Sequence, residues 1–229
     1  MGYIVRAIQK SFTKTTSEQE FFRLLEQRSI NESVEYALIN FTHALFFQAR
    51  KNLWDYCIEK ASSILTENKM VILEFGVYKG ASINYFARKC PEAYIYGFDS
   101  FEGLEENWYG YMFTKGQFNN YGKLPKCEKN VELLKGWYTD TLPSFIDNFK
   151  DTQIQILHMD SDTYKATSYV LNAVAKKLQK GTIVIFDEYF GYTGWKLHEY
   201  KAWQEFTNSN GIKFQYIAYT NCQVAIEIL

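Results

Sequence analysis

From Met70 onward, short apolar runs alternate with segments of helical period. Met70–Phe75, Ala93–Phe98, Ile154–Met159 and Thr182–Phe186 are nearly continuous in apolar residues, as strands covered on both faces require. A weaker run lies at Val131–Leu134. Between them, Gly80–Lys89 places Ile83, Phe86, Ala87 and Cys90 on one helix face and stops before Pro91. A helix is expected from Thr141, with Pro143 in its first turn. The next, over 165–179, carries Val170, Leu171, Val174 and Leu178 and ends in Lys176, Lys177, Lys180 and Gly181. A further helix is expected over 197–208. At the end, Ile212, Phe214 and Tyr216, then Cys222, Val224, Ile226 and Ile228, alternate around Thr220-Asn221, which predicts an antiparallel hairpin.

Upstream, residues 1–69 read as helical. Ser17-Glu18-Gln19-Glu20 is a capping-box pattern ahead of Phe21, Phe22, Leu24 and Leu25. A second helix is expected from Asn31 through Val34, Leu38, Phe41 and Leu45, continuing past Trp54 and Ile58 to about Leu65. Five parallel strands, interleaved helices and a closing hairpin predict an α/β fold of the Rossmann-like methyltransferase type. The expected sheet is mostly parallel and seven-stranded, over 70–229, with 1–69 as an N-terminal helical extension. A plain dinucleotide dehydrogenase more often closes on a sixth parallel strand.

Composition narrows the function classes. The 229 residues are 47% apolar with a net charge of −1, enough for a sizeable core and no electrostatic case for nucleic acid or an anionic membrane. Four scattered cysteines (Cys57, Cys90, Cys127 and Cys222) form no CxxC pair, which favours a reduced, cytoplasmic setting. No stretch approaches the ~20 apolar residues of a membrane span. The start, Met1-Gly2-Tyr3-Ile4-Val5-Arg6, suits neither a signal peptide nor a myristoylation site.

Candidate chemistry lies at the strand ends. Asp160-Ser161-Asp162 closes one apolar run and Asp187-Glu188 the next, and a single helix-length segment joins the two runs. Parallel neighbours stand about 4.8 Å apart, so Asp160, Asp187 and Glu188 converge at one edge and call for a hard divalent cation such as magnesium. Asp160 or Asp162 could take a proton, and the alternative for Asp162 is to N-cap the following helix. His198 is a second base candidate; His43 reads as structural, and mid-strand His158 as core or as a residue behind the ligands rather than a ligand itself. On the other side, Glu74 precedes the Gly76-Val77-Tyr78-Lys79-Gly80 turn. A carboxylate there suits the amino group of S-adenosylmethionine (SAM) and would repel a pyrophosphate. Asp99 can hold ribose hydroxyls, or cap its own turn through Ser100. Trp137 could flank an adenine ring or be buried core. Residues 98–123 hold Trp108, Tyr109, Tyr111, Phe113, Phe118 and Tyr121. So long a connection suggests a lid for a sugar or polyketide-like acceptor, a self-packed excursion, or a dimer contact that leaves room for a homo-oligomer.

Five blocks in order resemble the macrocin and mycinamicin O-methyltransferase family: Glu74–Gly80, Gly97–Leu104, Gly136–Pro143, Asp160–Tyr164 and Asp187–Tyr189. The resemblance spans residues 70–206. It implies a class I SAM-dependent fold, magnesium, and methylation of a sugar hydroxyl on an antibiotic deoxysugar, a nucleotide sugar or a surface glycan. It makes Asp160, Asp187 and Glu188 the metal ligands, with Asp160 also a candidate base. The cofactor-binding set becomes Glu74, Gly76, Val77, Gly80, Ser82, Asp99, Ser100, Phe101, Gly136, Trp137 and Asp160. Family members often carry Asp where this chain has Glu188, and residues 1–69 match no block. Small catechol O-methyltransferases usually have Lys at the position of Thr163. Two other readings stay open: a non-catalytic SAM-fold scaffold, and an NAD-dependent oxidoreductase, which Glu74 and the missing GxGxxG disfavour.

Overall fold

The computed structural model describes residues 16–65, 69–149 and 153–229, so the expectations about the first six residues lie outside the described part. Eight strands form one sheet: β1 (Leu45–Phe46), β2 (Val71–Phe75), β3 (Tyr94–Asp99), β4 (Val131–Lys135), β5 (Ile156–Met159), β6 (Ile183–Phe186), β7 (Phe214–Tyr219) and β8 (Val224–Ile228). Their spatial order is β1-β7-β8-β6-β5-β2-β3-β4. Every pairing is parallel except those of β8, which runs antiparallel to both β6 and β7. The expected hairpin is therefore present, and the eighth strand is one that the helical reading of 31–65 missed. Leu45–Phe46 pairs in parallel with Ala218–Tyr219 at the sheet edge.

Helices cover both faces. Within β2, Val71, Leu73 and Phe75 join one core cluster with Leu142, Val170, Leu171 and Trp203, which come from α4 (Tyr138–Asn148), α5 (Tyr164–Val174) and α6 (Glu199–Asn210). The alternate residue Ile72 joins Leu53, Trp54, Ile83 and Phe86 from α2 (Arg50–Ser63) and α3 (Ala81–Lys89). This strict alternation is the pleat's period of two. Both faces of the central strands are dry, which is why they read as unbroken apolar runs.

Three boundaries differ from expectation. The N-terminal helix α1 is continuous from Thr16 to Asn40. It docks through Ser33, whose Oγ accepts from the Gly191 amide at 2.9 Å, and through Tyr36, whose hydroxyl meets that of Tyr216 at 2.7 Å. A partly polar docking face of this kind leaves no single apolar stripe to read. His43 falls in the exposed turn after α1 rather than in a helix. α4 begins at Tyr138, because the Asp140 and Thr141 amides already bond to the Trp137 carbonyl at 2.9 and 3.1 Å, so Pro143 sits inside the helix. Among the described residues no helix is long and apolar enough to cross a membrane.

Candidate active site

The chain runs outward from β2 to β3 and β4, then returns to place β5 on the other side of β2. Open α/β sheets bind ligands at such a reversal, outside the carboxyl ends of the strands. A cavity of about 310 Å³ opens there, lined from one side by Gly76, Asp99, Ser100, Gly136 and Trp137 and from the other by Asp160, Asp162, Asp187 and Glu188.

Gly76 joins the two sides. The Asp160 amide bonds to the Phe75 carbonyl at 2.8 Å, drawing the end of β5 against the turn after β2. A Cβ on Gly76 would lie 1.7 Å from the Asp160 carbonyl oxygen, and its φ of +99° suits glycine. On the β3 side, Asp99 is held by backbone. Its Oδ2 accepts from the amides of Val77 (2.9 Å) and Tyr78 (2.7 Å), and its Oδ1 from that of Phe101 (2.6 Å). Tyr78 and Phe101 both take left-handed backbone to make those bonds, with φ of 47° and 58°.

The acidic side is built differently. Asp160, Asp187 and Glu188 each present an oxygen within 4.8 Å of the others. Asp187 and Glu188 are buried, and Glu188 Oε2 has no hydrogen-bond partner. Burial, followed by the charges of Asp187 and Asp162, pushes the Asp160 carboxyl well above its ordinary range. Burial and the same neighbouring carboxylates push Glu188 up as well. Burial acts against ionising Asp187 too, but the adjoining His158 imidazole outweighs it and holds Asp187 low. Clustered, partly orphaned carboxylates of this kind fit a hard oxygen-seeking divalent cation; the three would hold it.

Not every sequence-predicted residue reaches the cavity. Gly76, Asp99, Ser100, Gly136, Trp137, Asp160, Asp187 and Glu188 line it; Glu74, Val77, Gly80, Ser82, Phe101 and His198 do not. Glu74 is fully buried beneath α3. His198 turns its Nε2 to the Tyr109 carbonyl at 2.6 Å, so that nitrogen donates, and its Nδ1 is buried without a partner. Asp162 does not cap α5: the N-cap position is Thr163, and Asp162 sits at φ 61° in the cavity wall. Lining residues to which the sequence assigns no role include Arg50, Tyr78, Tyr138, Lys165 and Tyr169. Arg50 stands at the start of α2, far upstream of any motif, and no local signal marked it. The aromatic loop mostly packs on itself and on its neighbours: Trp108 is buried, with ring centroids 5.7 Å from both Phe113 and Tyr192. Of its six aromatic residues named above, Phe118 lines the cavity.

A parallel sheet of this order, closed by an antiparallel hairpin and carrying its cavity at the reversal, is a Rossmann-like methyltransferase fold. The chain belongs to the methyltransferase-domain family, whose model matches residues 73–189, just over half of its length. It is 27% identical over 175 residues to mycinamicin III 3''-O-methyltransferase of Micromonospora griseorubida, covering 64% of this chain and 65% of that protein. It is 25% identical over 173 residues to 8-demethyl-8-(2,3-dimethoxy-alpha-L-rhamnosyl)-tetracenomycin-C 4'-O-methyltransferase of Streptomyces olivaceus, covering 64% of this chain and 62% of that protein. The chain thus spans less than two thirds of the length of either relative. Among solved structures, the calicheamicin methyltransferase CalS11 superposes with a TM-score of 0.63 at 20% identity, over 94% of each chain, a likeness of fold.

Proposed function

We propose that this protein transfers a methyl group from SAM to a hydroxyl of a sugar-bearing small molecule, with a magnesium ion held by Asp160, Asp187 and Glu188. The observation that carries the reading is the convergence of those three carboxylates, with an orphaned Glu188 oxygen, across one cavity from the glycine turn. The two curated relatives, both named as O-methyltransferases and one for a rhamnosyl compound, support the substrate class.

In this reading Gly76, Asp99, Ser100 and Trp137 shape the cofactor side, with Asp99 keeping the turn after β2 in place through its three backbone bonds. A divalent ion, when bound, lowers the pKa of an acceptor hydroxyl and fixes its oxygen. In this reading Asp160 takes the hydroxyl proton as the oxygen–methyl bond forms and the sulfur–methyl bond breaks, leaving a neutral thioether. Asp160 is preferred to His198 because His198 lies off the cavity with Nε2 engaged by Tyr109.

Calorimetric titration with SAM and with NAD, each with and without magnesium, tests the proposal. SAM binding without NAD binding is expected; NAD binding alone would overturn it. Methyl transfer to a sugar acceptor should stop in EDTA and return with added magnesium, and full turnover in EDTA would remove the ion from the scheme.

A further inference from the structure

We propose that Glu74 and His158 form a buried positioning pair that holds Asp187 in the orientation its role at the site requires; this rests on the metal reading above. The pleat places them together. Glu74 and His158 are register partners on β2 and β5, and His158 pairs in turn with Ile185 on β6, two residues before Asp187. All therefore lie on the sheet face covered by α2 and α3. Gln223 precedes Val224, the partner of Phe186, and so stands opposite Asp187 on that same face.

Contacts complete the chain. Ser82 donates to Glu74 Oε1 at 2.9 Å, and Glu74 Oε2 meets His158 Nδ1 at 3.0 Å. His158 Nε2 points at Asp187 Oδ1 from 3.7 Å, and the Gln223 side-chain amide donates to that same oxygen. The rings of Trp54 and Phe86 close over the imidazole, with centroids 5.8 and 5.3 Å away. Glu74 and His158 are both wholly buried. Burying a carboxylate and an imidazole under aromatic rings is costly unless each meets a partner, and here they meet each other. Neither lines the cavity, so neither acts on substrate directly. What they can do is orient a carboxylate: the Gln223 amide donates to Asp187 Oδ1 and the His158 ring stands against the same oxygen at 3.7 Å, which keeps the carboxylate beside Asp160 and Glu188. Such outer partners commonly change metal affinity 10- to 100-fold.

The test is binding of manganese(II) alone, followed by its EPR signal in the full-length protein without SAM, and SAM binding measured separately. His158→Leu is expected to weaken manganese binding by about tenfold or more, leaving SAM affinity within about threefold. His158→Gln, which restores a side-chain N–H near Asp187, should recover part of that loss; a merely structural residue would show no such recovery. Should His158→Leu not fold, Glu74→Gln carries the comparison, since it keeps the shape and removes the charge. Wild-type protein that binds no manganese would overturn the metal reading and the pair with it. Wild-type binding with unchanged binding in His158→Leu and Glu74→Gln would overturn the pair alone. A Glu74→Gln variant that loses SAM affinity but keeps manganese affinity would return Glu74 to the cofactor side and overturn the pair as well.

Discussion

The two walls of the cavity each hold carboxylates, yet they are finished to different degrees. Asp99 is complete: both its oxygens accept backbone amides, and the turns around it adopt left-handed backbone to reach them. Across the cavity, Asp160 and Glu188 are crowded by like charges, and an oxygen of Glu188 has no partner. One wall is preorganised by the fold itself, at the cost of local backbone strain. The other stores electrostatic tension that only a cation or a proton relieves. The difference separates a wall whose carboxylate is satisfied by the fold from one whose carboxylates are not.

Removing a carboxylate from the unfinished wall should have the largest effect. Asp187→Ala is expected to cut methyl transfer by at least about 10³-fold, ~4 kcal/mol of transition-state stabilisation. SAM affinity should stay within about tenfold, ~1.4 kcal/mol, because the opposite wall is untouched. Steady-state kinetics beside calorimetry checks both numbers, and a parallel collapse of SAM binding would show that the walls are one unit. Next in size is Gly76→Ala, which strikes the seam. Its methyl would overlap the Asp160 carbonyl, so unfolding in urea should show a loss of about 3 kcal/mol. A loss under about 1 kcal/mol would mean that β5 can retreat from the turn without penalty.

How much of this contrast could be read from the chain alone depends on how local each feature is. Strands β2, β3, β5 and β6 were readable because burial on both faces writes them as apolar runs, and the acidic trio because it ends two of those runs. Asp99 was placed correctly at a strand end, but its three amide partners come from turns whose geometry no pattern announces. Glu74 reads as a cofactor residue from its charge and its place ahead of the glycine turn. Its pairing with His158 is a contact between residues 84 positions apart, made by sheet register. The strand Leu45–Phe46 is two exposed residues long and carries no periodicity at all. His198 reads as a base candidate, but its ring turns toward the Tyr109 carbonyl.

A smaller effect separates the walls by thermal shift. Magnesium at about a hundred times its dissociation constant should stabilise the protein by ~2.7 kcal/mol, or roughly 5–10 °C for a chain of this size. Asp99→Asn should leave that shift in place while weakening SAM binding by about tenfold, since an amide nitrogen cannot accept from the Val77 and Tyr78 amides. Asp187→Asn should abolish the shift. A magnesium shift that survives Asp187→Asn, or vanishes in Asp99→Asn, would reverse the assignment of the two walls.

The smallest effect concerns the rim, where the walls touch. Lys165, at the start of α5 beside the acidic wall, reaches Glu105 in the loop beyond β3 at 2.8 Å, and both residues line the cavity. Their side chains are 60% and 46% exposed, so solvent screens the pair and it contributes little to folding. Lys165→Ala should therefore move the melting temperature by no more than about 4 °C, since an exposed pair is worth under ~1 kcal/mol. The pair bridges the rim, so removing it can lower the barrier to SAM departure by at most what the pair is worth. SAM dissociation measured by stopped flow should then quicken by about two- to fivefold in Lys165→Ala, with the salt dependence of the wild-type rate lost, because an exposed ion pair weakens as ionic strength rises. An unchanged, still salt-sensitive rate would mean that the walls are held together by the Gly76 seam alone and that the rim pair is a bystander.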